Sequence, residues 1–160
     1  MLTPPMQLSQ SGLKLTEMAE GCRLEAYQDS VGVWTIGYGH TNGVCAGQVI
    51  TQEQADALAY ADEAQAVEAV NRLVNIPLMQ GEFDALVDFV FNLGTAAFAS
   101  STLLKLLNGG DLAGAASQFV LWDHAGGKEL AGLLRRRLAE KQLFVDASAN
   151  VTTSDTPIGA

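Results

Sequence analysis

Apolar residues recur at helical spacing over most of this chain and alternate with polar ones over one short stretch. Leu8 and Leu13 flank Ser9 as a hydrophobic staple flanks an N-cap, and Leu13, Leu15 and Met18 continue the apolar stripe of a first helix. Gly21 closes that helix, which puts Glu20 near its C-terminal end. Ala26-Tyr27-Gln28 and Val33-Trp34-Thr35-Ile36 then read as two strands joined by the turn Asp29-Ser30-Val31-Gly32. Gly37, Gly39, Gly43 and Gly47 mark an irregular segment.

Thr51 with Gln54 forms a capping box, and it opens a long helix. Ala55, Leu58, Ala59, Asp62, Ala66, Val70 and Leu73 follow at helical spacing. A helix of that length suits a connector between an N-terminal and a C-terminal lobe. Phe83, Leu86, Val87, Val90 and Phe91 mark the next helix, closed by Gly94. Ser101 caps a short one through Leu107, and Asp111 caps another through Trp122. Lys128 to Val145 forms the last. Their mixed apolar faces predict a small bundle. The small, polar residues from Ala147 to Ala160 predict a flexible tail.

The fold class expected is therefore α+β. It has an N-terminal lobe with the hairpin (1–50), a connecting helix (51–73), a helical C-terminal lobe (74–146) and a tail (147–160).

Composition narrows the function. The 160 residues carry 9 basic and 18 acidic side chains, a net charge of −9. Phosphate neutralisation needs a basic face, so nucleic acid is not an expected partner. Adhesion to anionic lipid is equally disfavoured, and no apolar run approaches the length of a membrane helix. Met1 to Met6 lacks the basic flank and apolar core of a signal peptide, so accumulation in the cytoplasm is expected. His40 and His124 have no metal-ligand spacing, so neither a metal nor another cofactor is expected. Cys22 and Cys45 are too few for a disulfide scaffold, and buried thiols are the expectation for them.

Glu20 and Asp29 stand nine residues apart, and Thr35 follows six further on. Two carboxylates on facing elements can divide acid and base roles where their surroundings differ. The C-terminal end of a helix favours a protonated carboxyl, whereas a water-exposed turn favours an ionised one.

The run Glu20-Gly21-x-Arg23-Leu24-x-Ala26-Tyr27-x-Asp29-x-x-Gly32-Val33-Trp34-Thr35-Ile36-Gly37-Tyr38-Gly39-His40-Thr41 resembles the catalytic core of phage-type lysozymes, the muramidase endolysins. The resemblance continues through Phe91-Asn92-Leu93-Gly94, Ser101-Thr102-Leu103-Leu104, Gln118-Phe119, Trp122, and Gly132-Leu133 with Arg136-Arg137 and Glu140. It implies a lysozyme-like two-lobed fold with the glycan between the lobes. It also implies hydrolysis of the β-1,4 bond between N-acetylmuramic acid and N-acetylglucosamine in peptidoglycan. Glu20 would be the acid, with Asp29 and Thr35 handling the water. Arg136 would pair with Glu20, with Arg137 as the other choice, and His40 would tie the hairpin to Asp62 on the connector.

Among further residues, Asn92 and Gln118 are candidates for binding N-acetyl groups, and Tyr38 for stacking on a sugar. Trp34, Phe91 and Trp122 are expected in the core. The expected partner is the peptidoglycan strand, met by a monomer that leaves the host cytoplasm for the periplasm or cell wall through a holin-like pore. Inversion at the anomeric carbon is expected. A lytic transglycosylase needs no positioned water, which Asp29 and Thr35 argue against. A non-catalytic glycan-binding module would not need an intact Glu-Asp-Thr set.

Overall fold

The computed structural model describes residues 4–125 and 128–153. Ser9 caps α1 (Gln10–Glu20) by accepting from the Gly12 amide, and Gly21 closes it. A hairpin of β1 (Arg23–Gln28) and β2 (Trp34–Gly37) follows, with Tyr27 opposite Thr35 and Gln28 opposite Trp34. The capping box of Thr51 and Gln54 starts α2 (Gln52–Leu73). Then come α3 (Gln80–Leu93), α4 (Thr95–Ala99), α5 (Thr102–Asn108), α6 (Leu112–Gln118) and a 3-10 turn (Phe119–Leu121). A short pair, β3 (His124–Ala125) with β4 (Lys128–Glu129), precedes α7 (Ala131–Thr153). The fold is mostly helical α+β, as the pattern predicts.

Helix α3 is the axis of the core and packs against α1, α2 and α7. Its Phe89 ring meets Phe98, Phe119 and Trp122 edge-on, at centroid distances of 6.2, 5.5 and 5.6 Å. Phe91 and Trp122 are half-buried against this core, and Trp34 is also half-buried.

Four local expectations are corrected. Met18 is 78% exposed, because the buried face of α1 is set by Gly12, Leu13 and Thr16. The last helix starts at Ala131 and not at Lys128. Backbone pairing of residues 124–125 with 128–129, and the bond from the Leu130 amide to the Asp123 carbonyl, occupy that stretch first. The segment expected as a tail from Ala147 continues α7 as far as Thr153. Ala147 lies so close to α3 that a Cβ on Gly81 would come within 2.8 Å of it, and Ser148 donates to Glu82 Oε1 at 2.6 Å. The remainder, 154–160, lies outside the described residues. Finally, Cys22 and Cys45 are free and exposed, because both sit on irregular chain outside the packed helices.

Candidate active site

Glu20 is delivered by the last turn of α1 and keeps 29% of its side chain exposed. Its Oε1 accepts from Arg136 Nη1 at 2.6 Å. Its Oε2 faces Gly39, where a built Cβ would lie 3.6 Å away and where a φ of 87° favours glycine. Of the two arginines left open by sequence, Arg136 is the partner. Arg137 turns to Asn92 Oδ1 at 2.7 Å and Glu140 Oε1 at 2.9 Å.

Arg136 is itself held from behind. Its Nε and Nη2 donate to Asp88 Oδ2 and Oδ1 at 2.9 and 2.8 Å, a bidentate pair on a carboxylate with no exposed side-chain surface. Thr16 donates to the same Oδ1 at 2.8 Å. Burial opposes the charge on Arg136, yet Asp88 and then Glu20 hold the guanidinium above the ordinary arginine value. Burial also opposes the charge on Asp88, but the neighbouring Glu140 and the hydrogen bonds from Arg136 and Thr16 hold it below the usual carboxylate range. Glu140 goes the other way. Burial, followed by the neighbouring Asp88, pushes it well above that range, and Arg137 and Arg136 oppose the shift.

The hairpin places the other two candidates through one residue. Asp29 Oδ1 accepts from the amides of Val31 and Val33, each at 2.9 Å. The Asp29 amide donates to the Val33 carbonyl at 2.9 Å, and the buried Thr35 hydroxyl donates to that same carbonyl at 3.0 Å. Val33 is thus the common anchor for both side chains. The bond also spends the one hydroxyl proton of Thr35, so its oxygen remains as an acceptor only.

His40 Nδ1 lies 2.8 Å from Asp62 Oδ2, and its Nε2 lies 2.9 Å from the Asn42 carbonyl. This joins the segment after β2 to α2. Asn92 is half-buried, with its carbonyl oxygen taken by Arg137. Gln118 is half-buried at the end of α6, and no described contact joins it to the other candidates.

Tyr38 is corrected. It is 9% exposed and belongs to the core. Its oxygen accepts from Gln52 Nε2 at 2.6 Å, and burial pushes its phenol up to about 12, so its ring is not offered to a sugar.

Sequence reasoning missed Asp88, Thr16 and Glu63. Glu63 was detectable, because it falls on the stripe Ala55, Ala59, Ala66, Val70 that α2 buries. Among the described residues, no three His, Cys, Asp or Glu side chains are arranged to hold a metal ion. Nor is any helix there long and apolar enough to cross a membrane.

A family model described as phage lysozyme matches residues 17–140. An endolysin of Acyrthosiphon pisum secondary endosymbiont phage 1 is 49% identical over 146 residues, covering 89% of this chain and 100% of its own. Among solved structures, the muramidase domain of SpmX from Asticaccaulis excentricus aligns with a TM-score of 0.80 at 44% identity, covering 87% of this chain and 97% of that one. A P22 lysozyme mutant aligns with a TM-score of 0.81 at 41% identity, covering 88% of this chain and 99% of its own.

Proposed function

This chain belongs to the phage lysozyme family, and on that footing we propose that Glu20, Asp29 and Thr35 are its catalytic set. The protein is an endolysin for host lysis, a glycoside hydrolase of the muramidase type. The bond it cuts is the β-1,4 link between N-acetylmuramic acid and N-acetylglucosamine.

The observation that carries the residue assignment is the pairing of Glu20 with Arg136 on one side and the shared Val33 anchor of Asp29 and Thr35 on the other. Glu20 passes a proton from Oε2, the oxygen not engaged by Arg136, to the glycosidic oxygen as that bond breaks. A water accepted by Thr35 Oγ1 and by Asp29 attacks the anomeric carbon. Asp29 takes the proton the water sheds, and both carboxyls then re-equilibrate with solvent. A single displacement of this kind inverts the anomeric centre. His40 and Asp62 keep the hairpin segment against α2. Asn92 and Gln118 bind the N-acetyl groups, Asn92 through its NH2 because its oxygen is already taken.

The same reading divides the chain into an N-terminal lobe (1–50), a connector (51–73) and a helical lobe from 74 onward, with the glycan between the lobes. It has the protein act as a monomer, held in the host cytoplasm until a holin-like pore passes it to the periplasm and wall.

Mass spectrometry of digested peptidoglycan tests the reaction class. Hydrolysis leaves reducing N-acetylmuramic acid ends carrying one added water. Anhydro ends would assign the protein to the lytic transglycosylases.

A further inference from the structure

Asp88 stands behind the Glu20–Arg136 pair and has no exposed side-chain surface. It takes one edge of the guanidinium, Nε at 2.9 Å and Nη2 at 2.8 Å, and leaves Nη1 to meet Glu20 Oε1 at 2.6 Å. Two parallel bonds fix the plane of the guanidinium as well as its place. The direction of Nη1, and with it that of Glu20, is therefore set from α3. Thr16 gives the carboxylate a further bond, on Oδ1 at 2.8 Å. A buried ion pair rarely stabilises a fold more than apolar side chains of the same volume do. The fork of Asp88 on Arg136 thus calls for a cause outside stability.

That cause is a conflict at Glu20. Orienting it calls for a rigid donor, and arginine supplies one. A full positive charge against a carboxyl favours the ionised form, yet a general acid has to arrive with its proton. Asp88 removes the conflict by placing a negative charge on the opposite edge of the same guanidinium. Glu20 then meets a directed N–H from a pair whose net charge is zero. Burial opposes the charge on Asp88, but Glu140, Arg136 and Thr16 keep it ionised for this. Of the elements packed on α3, α1 brings Thr16 and Glu20, α2 brings Glu63, and α7 brings Arg136, Arg137 and Glu140, while α4 carries no ionisable side chain. Arg137 and Glu140 bond each other at 2.9 Å, and Glu63 makes no hydrogen bond to either member of the fork. Glu20 has Glu17 one turn earlier on its own helix, and across from its Oε2 stands Gly39, which has no side chain.

Building on the assignment of Glu20 as the acid, we propose that Asp88 is a positioning residue for the reaction. It aims Arg136 at Glu20 and cancels the arginine's charge, so that Arg136 orients the acid without drawing off its proton.

The test is the pH dependence of kcat and KM on soluble glycan fragments, measured for the whole chain and for Asp88→Asn, which keeps the size and removes the charge. Arg136 then acts on Glu20 with its full charge, and the alkaline limb of kcat is expected to move down by about one pH unit. At the optimum kcat is expected to fall by about 10–100-fold, with KM little changed, because Asp88 bonds Arg136 and not the glycan. In Asp88→Asn/Arg136→Gln the charge is gone again, so the limb is expected to return towards its wild-type position while kcat stays low. A limb that does not move in Asp88→Asn leaves Asp88 a purely structural residue and overturns the proposal, whatever happens to the melting temperature. A limb that stays low in the double variant overturns it too. If neither variant folds, hydrogen exchange in the wild type decides: the Nε–H of Arg136 should exchange far more slowly than that of the exposed Arg135, and equal rates overturn the proposal. Failure of the acid assignment has a different mark, since Glu20→Gln would then keep its activity whatever Asp88 does.

Discussion

The two halves of the candidate site are built by opposite means. On the hairpin side, Asp29 and Thr35 are fixed by hydrogen bonds to a residue no more than four positions away, Asp29 at a turn open to water and Thr35 buried on β2. On the helical side, Glu20 is fixed by an arginine 116 positions away, and that arginine is gripped by a fully buried carboxylate. The difference follows from the tasks proposed for them. A water-holding carboxylate needs access to solvent and a set direction, which backbone amides of a tight turn supply. A proton donor must be held without flooding it with water, which calls for a partner anchored in the core.

Substitutions separate the two halves by size of effect. Glu20→Gln keeps the shape and removes the proton, so lysis of outer-membrane-stripped Gram-negative cells is expected to fall by about 10²–10⁴-fold with melting temperature preserved. Retained clearing above a few per cent of wild type would remove Glu20 from the mechanism. Arg136→Met breaks the long-range hold and strands Asp88 without its cation. A loss of about 3–5 kcal/mol in urea unfolding is expected, together with loss of activity. An unchanged unfolding midpoint would show that Asp88 finds another partner.

Stability should also report the buried side through pH. Glu63 rises from 4.5 to about 7 on folding, chiefly through burial, so the folded state binds the extra proton. Its contribution is present below about 4.5 and is lost as the pH climbs through about 7. Glu140, also raised by burial, acts in the same sense. Asp88, lowered despite its burial, loses its contribution only at more acid pH. The unfolding free energy from urea titrations should therefore fall between about pH 4.5 and 7, by up to about 3 kcal/mol from Glu63. Glu63→Gln should flatten that slope; an equally steep slope in the variant would place its source elsewhere. On the hairpin side, Thr35→Val removes one acceptor for a water. About tenfold in kcat is expected, with KM little changed, since one such hydrogen bond is worth about 1.4 kcal/mol. A silent Thr35→Val would make Thr35 a strand residue and nothing more.

The same contrast governs what the chain discloses on reading. Ser9, Thr51, Ser101 and Asp111 cap the helices that their side chains predict, because a cap involves only the next three residues. The hairpin register and the positions of Glu20, Asp29 and Thr35 are local too. The buried side is not. Asp62 and Glu63 are neighbours in sequence but point about 100° apart on α2, so Asp62 meets His40 at the surface while Glu63 falls on the buried stripe. Asp88 stands in an apolar run whose pattern predicts a core helix, and its purpose appears only when Arg136 arrives from α7. Tyr38 looks like a sugar platform until Gln52 and the core claim it. Ala147 and Ser148 have the composition of a tail, yet Gly81 and Glu82 give them a surface to pack on.

The division of labour between the two halves has one direct readout, the configuration of the first sugar released. Proton NMR of early hydrolysis, before mutarotation, should show the α-anomer from this β-linked substrate, the mark of a water held by Asp29 and Thr35 opposite Glu20. A first-formed β-anomer would mean double displacement with retention, and would contradict the assignment of Asp29 and Thr35 to the water.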